Sequence, residues 1–376
     1  MRAFTDAEQL KFGLLADGLA MTSEALGYIA ARNGDRPLTP ADYASTSGVI
    51  LVLEGDVWVN APISRYNANF VVAPPYRLVR DGDGLVVEGR GLAARAAFWL
   101  PPHFQGERNQ AGEEYNSYAF THADRVRVSP IEGCAFTCTF CDLPYEFPYR
   151  RKSVEGLLDV VRVALADPVQ PAYHILISGG TPRPDDYQYV RQVYESVITT
   201  FPDVLVDIMM VPIEEVMHPP WLAGLGVAEI SVNLELWGER EARLRMPRKH
   251  KQGRDHYLNY LSRAADELGG ERVRSMLMVG LEPLENTLAG VEAIADRGCV
   301  PVLSPFRPDP STPLRDHPVP SASFLKEAYL GAREVTQRRG VPLGPSCIPC
   351  AHNTLTFPDS HGHGDASRTH GAPRVV

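Results

Sequence analysis

No stretch of the 376-residue chain approaches the roughly 18 consecutive apolar residues of a membrane-spanning helix, so no membrane partner is expected. The opening segment, MRAFTDAEQLKFGLLADGLA, sets acidic residues among its apolar ones and has no uninterrupted hydrophobic core. It does not read as a secretory signal, and a cytoplasmic location is expected. Basic residues are outnumbered, 37 Lys and Arg against 46 Asp and Glu, a formal net charge of -9. That argues against nucleic acid or an anionic membrane as a general partner. Cysteine is scarce at six residues, too few and too unevenly placed for a disulfide framework in a chain without an export signal. Metal or redox chemistry is the better expectation. Proline, by contrast, is plentiful: 32 of 376 residues, against a usual ~5%, which predicts long proline-punctuated loops.

Along the chain, residues 6 to 33 carry Leu10, Phe12, Leu14, Leu15, Leu19, Met21, Leu26 and Ile29 among small and polar residues, the pattern of an amphipathic helix or helix pair. From 48 to 100, β-branched and aromatic runs are separated by turn signals such as Asp81-Gly82-Asp83-Gly84. These predict a small β-rich N-terminal module, followed by a polar linker from Pro101 to Asp124. Beyond Arg125 the pattern alternates: apolar runs at 126–131, 173–178, 204–211, 227–235, 273–280 and 300–306 are separated by helical patterns, and a further helix is expected over 321–339. Six strand–helix units imply an α/β fold with a parallel sheet, either open and doubly wound or a partial barrel. In both, chemistry gathers at the C-terminal ends of the strands. The expected division is 1–124 for helix, module and linker, 125–340 for the strand–helix unit, 341–358 for a cysteine-containing segment and 359–376 for a disordered tail.

The sequence GCAFTCTFC places Cys134, Cys138 and Cys141 in the loop that follows the first strand of the series. Thiolates so close together suit an iron–sulfur cluster or zinc, whereas structural zinc usually takes four ligands as two distant pairs. Three thiols would leave one corner of a cubane cluster without a protein ligand. The alternatives are a zinc knuckle or buried core thiols.

The CxxxCxxC spacing, with Phe140 before the last cysteine and an inner strand before the first, resembles the signature of the radical S-adenosylmethionine (SAM) superfamily. That resemblance implies a partial (β/α)6 TIM barrel over roughly 125–310. It also implies a [4Fe-4S] cluster on Cys134, Cys138 and Cys141, whose open iron chelates SAM. Reductive cleavage of SAM to a 5′-deoxyadenosyl radical, and hydrogen abstraction from a small organic substrate, would follow. A flavodoxin or ferredoxin as electron donor, and sensitivity to oxygen, are implied with it. Ser178-Gly179-Gly180-Thr181-Pro182 resembles the family's glycine-rich motif at the second strand, with Thr181 where many members have Glu. SVNLELW resembles the Asn-Leu-Asp segment of biotin synthase, which implies SAM ribose contact for Glu235 and a substrate-facing Asn233. In GEREARLRMPRKHKQGR, Arg248 is the residue expected to hold the SAM carboxylate. MLMVGLEP resembles the fifth-strand segment at the adenine site, implying Met278, Val279 and Gly280 there.

Arg307, at the end of the sixth strand, is a candidate to pair with an anionic substrate group. Cys347 and Cys350 are a possible second metal site: an auxiliary cluster, a redox pair, or a metal held with His352. The cap over the barrel mouth is expected from the N-terminal module or the segment around Cys350. Cys299 reads as a small buried hydrophobe. Strand ends that carry further cysteines in biotin synthases offer Ser178, Met210 and Asn233 here, which disfavours biotin formation, and no separate cobalamin-binding domain is read from the chain, which disfavours a cobalamin-dependent methylase. Sulfur insertion in the manner of lipoyl synthase would need a cluster at Cys347 and Cys350. An iron–sulfur carrier and a zinc-binding scaffold are the non-catalytic alternatives.

Overall fold

In a computed structural model, which describes residues 3–39, 48–63, 73–360 and 375–376, the six expected strands lie side by side in chain order. They are β1 (Arg125–Val128), β2 (His174–Ile177), β3 (Val206–Met209), β4 (Glu229–Ser231), β5 (Val273–Val279) and β6 (Val300–Pro305), each pairing in parallel with the next. Each crossover packs a helix on the sheet, α1 (Val154–Leu165), α2 (Tyr187–Thr200), α3 (Pro219–Leu225), α4 (Arg254–Leu268) and α5 (Leu284–Ala295), with short helices also at Leu143–Glu146, Glu239–Arg245 and Pro247–Gln252, and α6 (Ala322–Arg339) follows β6. This order decides between the two architectures. A doubly wound sheet reverses its strand order once, which sends helices to both faces. Here there is no reversal, so right-handed crossovers leave all the helices on one face, and the other face is enclosed only if the sheet curls. The fold is a partial (β/α)6 barrel with a β-rich N-terminal module.

The expected strand at 227–235 is regular only to Ser231, for a reason that reaches the site. Past that point side-chain bonds interrupt the backbone ladder: Leu234 N–H donates to Ser275 Oγ at 3.0 Å and Met276 N–H to Asn233 Oδ1 at 3.1 Å, between the backbone bonds Val232 N–H to Arg274 O and Glu235 N–H to Met276 O. Glu235 then takes a left-handed backbone, φ 65°, while still pairing with β5. For a residue with a Cβ this conformation costs on the order of 1 kcal/mol or more, and such residues concentrate at functional sites.

The N-terminal module is a mostly antiparallel sheet built from Gly48–Leu53, Val57–Pro62, Arg77–Asp81, Gly84–Gly89 and Leu92–Phe98, with Ala20–Met21 at one edge. The expected helix pair is present as Asp6–Asp17 and Ser23–Arg32, divided at Gly18. The first helix is buried on most sides rather than amphipathic, because it lies between the module and the barrel. Its Phe12 joins Phe4, Tyr329 and Phe357 in an aromatic cluster, and Lys11 Nζ donates to the carbonyls of Ala351 (2.9 Å) and Thr356 (2.6 Å).

The stretch 101–124, expected as a polar linker, is packed. Phe104 and Tyr115 are buried, and Ala119–His122 adds an antiparallel strand to the outer edge of β1. Polar composition concealed a short edge strand that is buried by its own segment, with Thr121 N–H donating outward to Gln105 Oε1 at 2.8 Å. Of the expected tail, 361–374 lies outside the described residues, and Val375 and Val376 pair with Trp99 and Phe98. Among the described residues no helix is long and apolar enough to cross a membrane.

Candidate functional site

The loop carrying the three thiols is clamped at its base. Ile131–Glu132 pairs antiparallel with Arg150–Arg151, with ion pairs Arg150–Glu132 and Arg151–Asp186 across the ends. Within the loop, Cys134 Sγ accepts N–H bonds from Phe136 (3.3 Å) and Thr181 (3.1 Å), and Ala135 N–H donates to Thr181 O at 2.9 Å. The end of β2 therefore holds the first thiol directly.

Contact this close needs Gly180: a Cβ there would fall 1.7 Å from Gly133 O and 2.8 Å from Cys134 Cα. Gly180→Ala is expected to destabilise the chain by ~1–3 kcal/mol or more through this overpacking, read as a lowered Tm. Gly224→Ala, in α3 with nothing within 4 Å of the added carbon, serves as the control and is expected to be neutral or stabilising. Equal melting of the two variants would refute the close-packed reading of Gly180.

Cys138 is buried against Leu236, Ala242, Met246, Leu281 and Phe306, with Phe140, Cys141 and Met278 packed on the same cluster. Thr139 N–H donates to Arg245 O at 2.8 Å and ties the loop to the helix Glu239–Arg245. Burial pushes the Cys138 thiol up to about 11 and raises Cys141 as well, where Asp142 adds to the effect. Metal-free, both are neutral thiols, and a bound metal would displace their protons.

Opposite the thiols, in the same cleft, a carboxylate and an ammonium meet. Lys249 Nζ lies 3.0 Å from Glu235 Oε1 and donates to Asn233 O at 3.1 Å, with side chains 11% and 10% exposed for Lys249 and Glu235. Burial, the largest single influence, lowers the Lys249 ammonium's pKa; the Glu235 charge, Tyr257 and Cys138 together outweigh it and hold the group above its usual range. The second carboxylate oxygen, Oε2, is buried without a hydrogen-bond partner among the described residues. An oxygen so placed is costly unless a ligand supplies a donor.

The sequence-expected residues divide accordingly. Phe140, Ser178, Gly179, Thr181, Asn233 and Glu235 line the cleft with Cys134, Cys138 and Cys141. Gly180 supports the loop from behind. Arg248, expected to face SAM, lies exposed, and the neighbouring Lys249 is the cation in the cleft. The physical reason is helical: in Pro247–Gln252 adjacent positions diverge by about 100°, and the buried carboxylate selects one of them. Val279 is fully buried in the main core, whereas Met278, one position earlier on β5, packs against the thiol cluster. The period of two on a strand separates them. Arg307 is half-buried with its guanidinium on Asn60, donating to Oδ1 at 3.1 Å and to the backbone carbonyl, so it fastens the N-terminal module to the barrel. Cys347 and Cys350 are not at this site.

Two residues escaped the sequence reading. Lys249 was hidden in a run of cations, with only Pro247 at the helix start to phase it. Glu282 accepts N–H bonds from Trp237 and Gly238, the latter at 2.7 Å, and fixes the chain just past Glu235. Arg248→Ala is expected to change stability by no more than ~0.5 kcal/mol. Lys249→Ala, which strands a buried carboxylate, should cost ~3 kcal/mol or more in urea unfolding. Equal effects would contradict this assignment.

A parallel half barrel carries three thiols and a buried carboxylate–ammonium pair at its C-terminal mouth, a donor set suited to a soft metal centre. No protein-family model matches the chain, and no curated protein matches its sequence. Solved structures to which it is similar include HydG, a maturase of the [FeFe]-hydrogenase, at 13% identity and TM-score 0.47, covering 58% of this chain and 50% of that one. A radical SAM methyltransferase from Sphaerobacter thermophilus aligns at 16% identity and TM-score 0.46, covering 72% and 76%. The radical SAM methyltransferase TsrM from Kitasatospora setae aligns at 16% identity and TM-score 0.40, covering 63% and 49%. The chain spans about half the length of HydG and TsrM.

Proposed function

We propose that the chain is a radical SAM enzyme acting on a small organic substrate. The observation that carries this reading is the shared cleft: three thiols from one loop face a partnerless buried carboxylate oxygen at the C-terminal ends of parallel strands. The donor set fits a [4Fe-4S] cluster, since soft thiolates suit it and the cleft offers no fourth thiol, leaving a corner for a ligand. When bound, such a cluster supplies the electron that cleaves the SAM sulfonium and so yields a 5′-deoxyadenosyl radical.

The protein's own contributions are binding, orientation and exclusion of water. Glu235 Oε2 accepts from the ribose hydroxyls. Lys249 spends two donors on Glu235 and Asn233 and keeps a third for the SAM carboxylate, in the role expected of Arg248. Thr181 N–H and Phe136 N–H stabilise the Cys134 thiolate. Phe140, Met278 and Phe306 keep the cluster side of the cleft apolar. Asn233, its Oδ1 held by Ser231 and Met276, presents the rest of its amide toward substrate. A one-electron donor of the flavodoxin or ferredoxin type completes the system.

The test is anaerobic reconstitution with iron and sulfide, then dithionite and SAM, with 5′-deoxyadenosine followed by mass spectrometry. Cluster-dependent release supports the reading; a fully loaded protein that releases none refutes it.

A further inference from the structure

At the other end of the barrel, where the strands begin, the C-terminal segment enters the structure with two buried thiols. Cys347 Sγ lies 3.2 Å from Asp124 Oδ1, and Cys350 Sγ lies 3.4 Å from both Asp124 Oδ1 and His174 Nε2. His174 Nε2 is 3.7 Å from Asp124 Oδ1. All four residues are buried, and their donor atoms lie within 4.8 Å of one another. Asp124 immediately precedes β1 and His174 opens β2, whereas Ser178, at the far end of β2, lines the thiol cleft. Four residues of strand put the two sites ~13 Å apart along β2.

We propose that Asp124, His174, Cys347 and Cys350 bind a single structural zinc ion that closes the barrel's N-terminal end. Bonds of ~2.0 Å to N and O and ~2.3 Å to S require the ligands of a tetrahedral zinc to stand ~3.3–3.8 Å apart. Four of the six observed separations, 3.2 to 3.7 Å, lie close to that edge length, and the other two are within 4.8 Å. An iron–sulfur cluster spreads its ligands over several irons and needs a wider frame. The chemistry agrees: soft thiolates with one imidazole and one carboxylate select zinc, and four protein ligands make a closed site.

The local fold prepares it. Cys350 N–H donates to Cys347 Sγ at 3.3 Å, the short turn that lets a Cys-x-x-Cys pair converge. Beside the thiols, buried Arg274 is paired with Glu229 and Asp207, which fixes the strand starts around them. His352, the histidine nearest in sequence, instead bonds through Nδ1 to Pro349 O and stacks on His122. A zinc here would staple the segment that follows α6 to the starts of β1 and β2. Cys347 and Cys350 lie at the opposite end of the strands from the three-thiol cleft, which counts against an auxiliary sulfur-donating cluster there.

The experiment uses full-length protein purified from zinc-supplemented cells without reconstitution, with metal measured by mass spectrometry. Wild type, the Cys134→Ala/Cys138→Ala/Cys141→Ala variant and His352→Ala should each carry about one zinc per chain. Cys347→Ser/Cys350→Ser should carry none. Because that variant is expected to fold poorly, cobalt(II) is also exchanged into the triple alanine variant, where a tetrahedral thiolate ligand-field spectrum is expected. The proposal is overturned if the triple variant holds no stoichiometric zinc, if Cys347 and Cys350 carry iron with acid-labile sulfide, or if they form a disulfide.

Discussion

Cys134→Ala, Cys138→Ala and Cys141→Ala together are expected to abolish 5′-deoxyadenosine formation. Each single change should do nearly the same, because a cubane with only two protein thiolates is not retained. The effect is all-or-none in iron rather than graded in stability. Cys138 is a small part of an apolar cluster with Leu236, Met246 and Phe306, and the change to alanine removes one sulfur from it. A far-UV circular dichroism spectrum like that of wild type, with iron lost after reconstitution, is the expected pair of results. Iron and sulfide retained in the triple variant at wild-type stoichiometry would place the cluster elsewhere and sink the assignment.

The second large effect belongs to Glu235. Its carboxylate is the partner of a buried ammonium and offers an unsatisfied oxygen to the cleft, so Glu235→Gln acts on both stability and binding. Removing one member of a buried ion pair costs ~3–5 kcal/mol because the other charge is left uncompensated. For a chain of this size that is a drop of roughly 4–6 °C in Tm. Replacing both groups, Glu235→Gln with Lys249→Met, should recover much of that stability, since paired apolar or neutral substitutes are often nearly neutral. SAM cleavage should not return with it. This separation distinguishes a ligand-holding pair from a structural one: recovery of both stability and 5′-deoxyadenosine in the double variant would mean that the pair serves packing alone.

Much of this architecture was legible because it depends on short-range patterns. Six apolar runs at crossover spacing mark six strands whatever the curvature, and thiols three and two residues apart must share a loop. The Ser178 to Thr181 turn and the alternation of Asn233 with Glu235 are likewise local. Helical phase was harder. In Pro247–Gln252, Arg248 and Lys249 are equally polar on paper, and only the position of Glu235 on a neighbouring strand turns Lys249 inward. Arg307 read as a free cation at a strand end because its partner, Asn60, lies 247 residues earlier.

By itself, then, the sequence determined the kind of elements, their order and the chemistry of the thiol loop, since each follows from spacing within a few residues. Tertiary structure alone decided that the sheet curls rather than winds doubly and that 101–124 supplies an edge strand. It alone also brought Cys347 and Cys350 to Asp124 and His174, 223 and 176 residues away in their closest pairings. Those outcomes rest on which distant surfaces bury one another, and burial acts through space, where sequence separation leaves no mark.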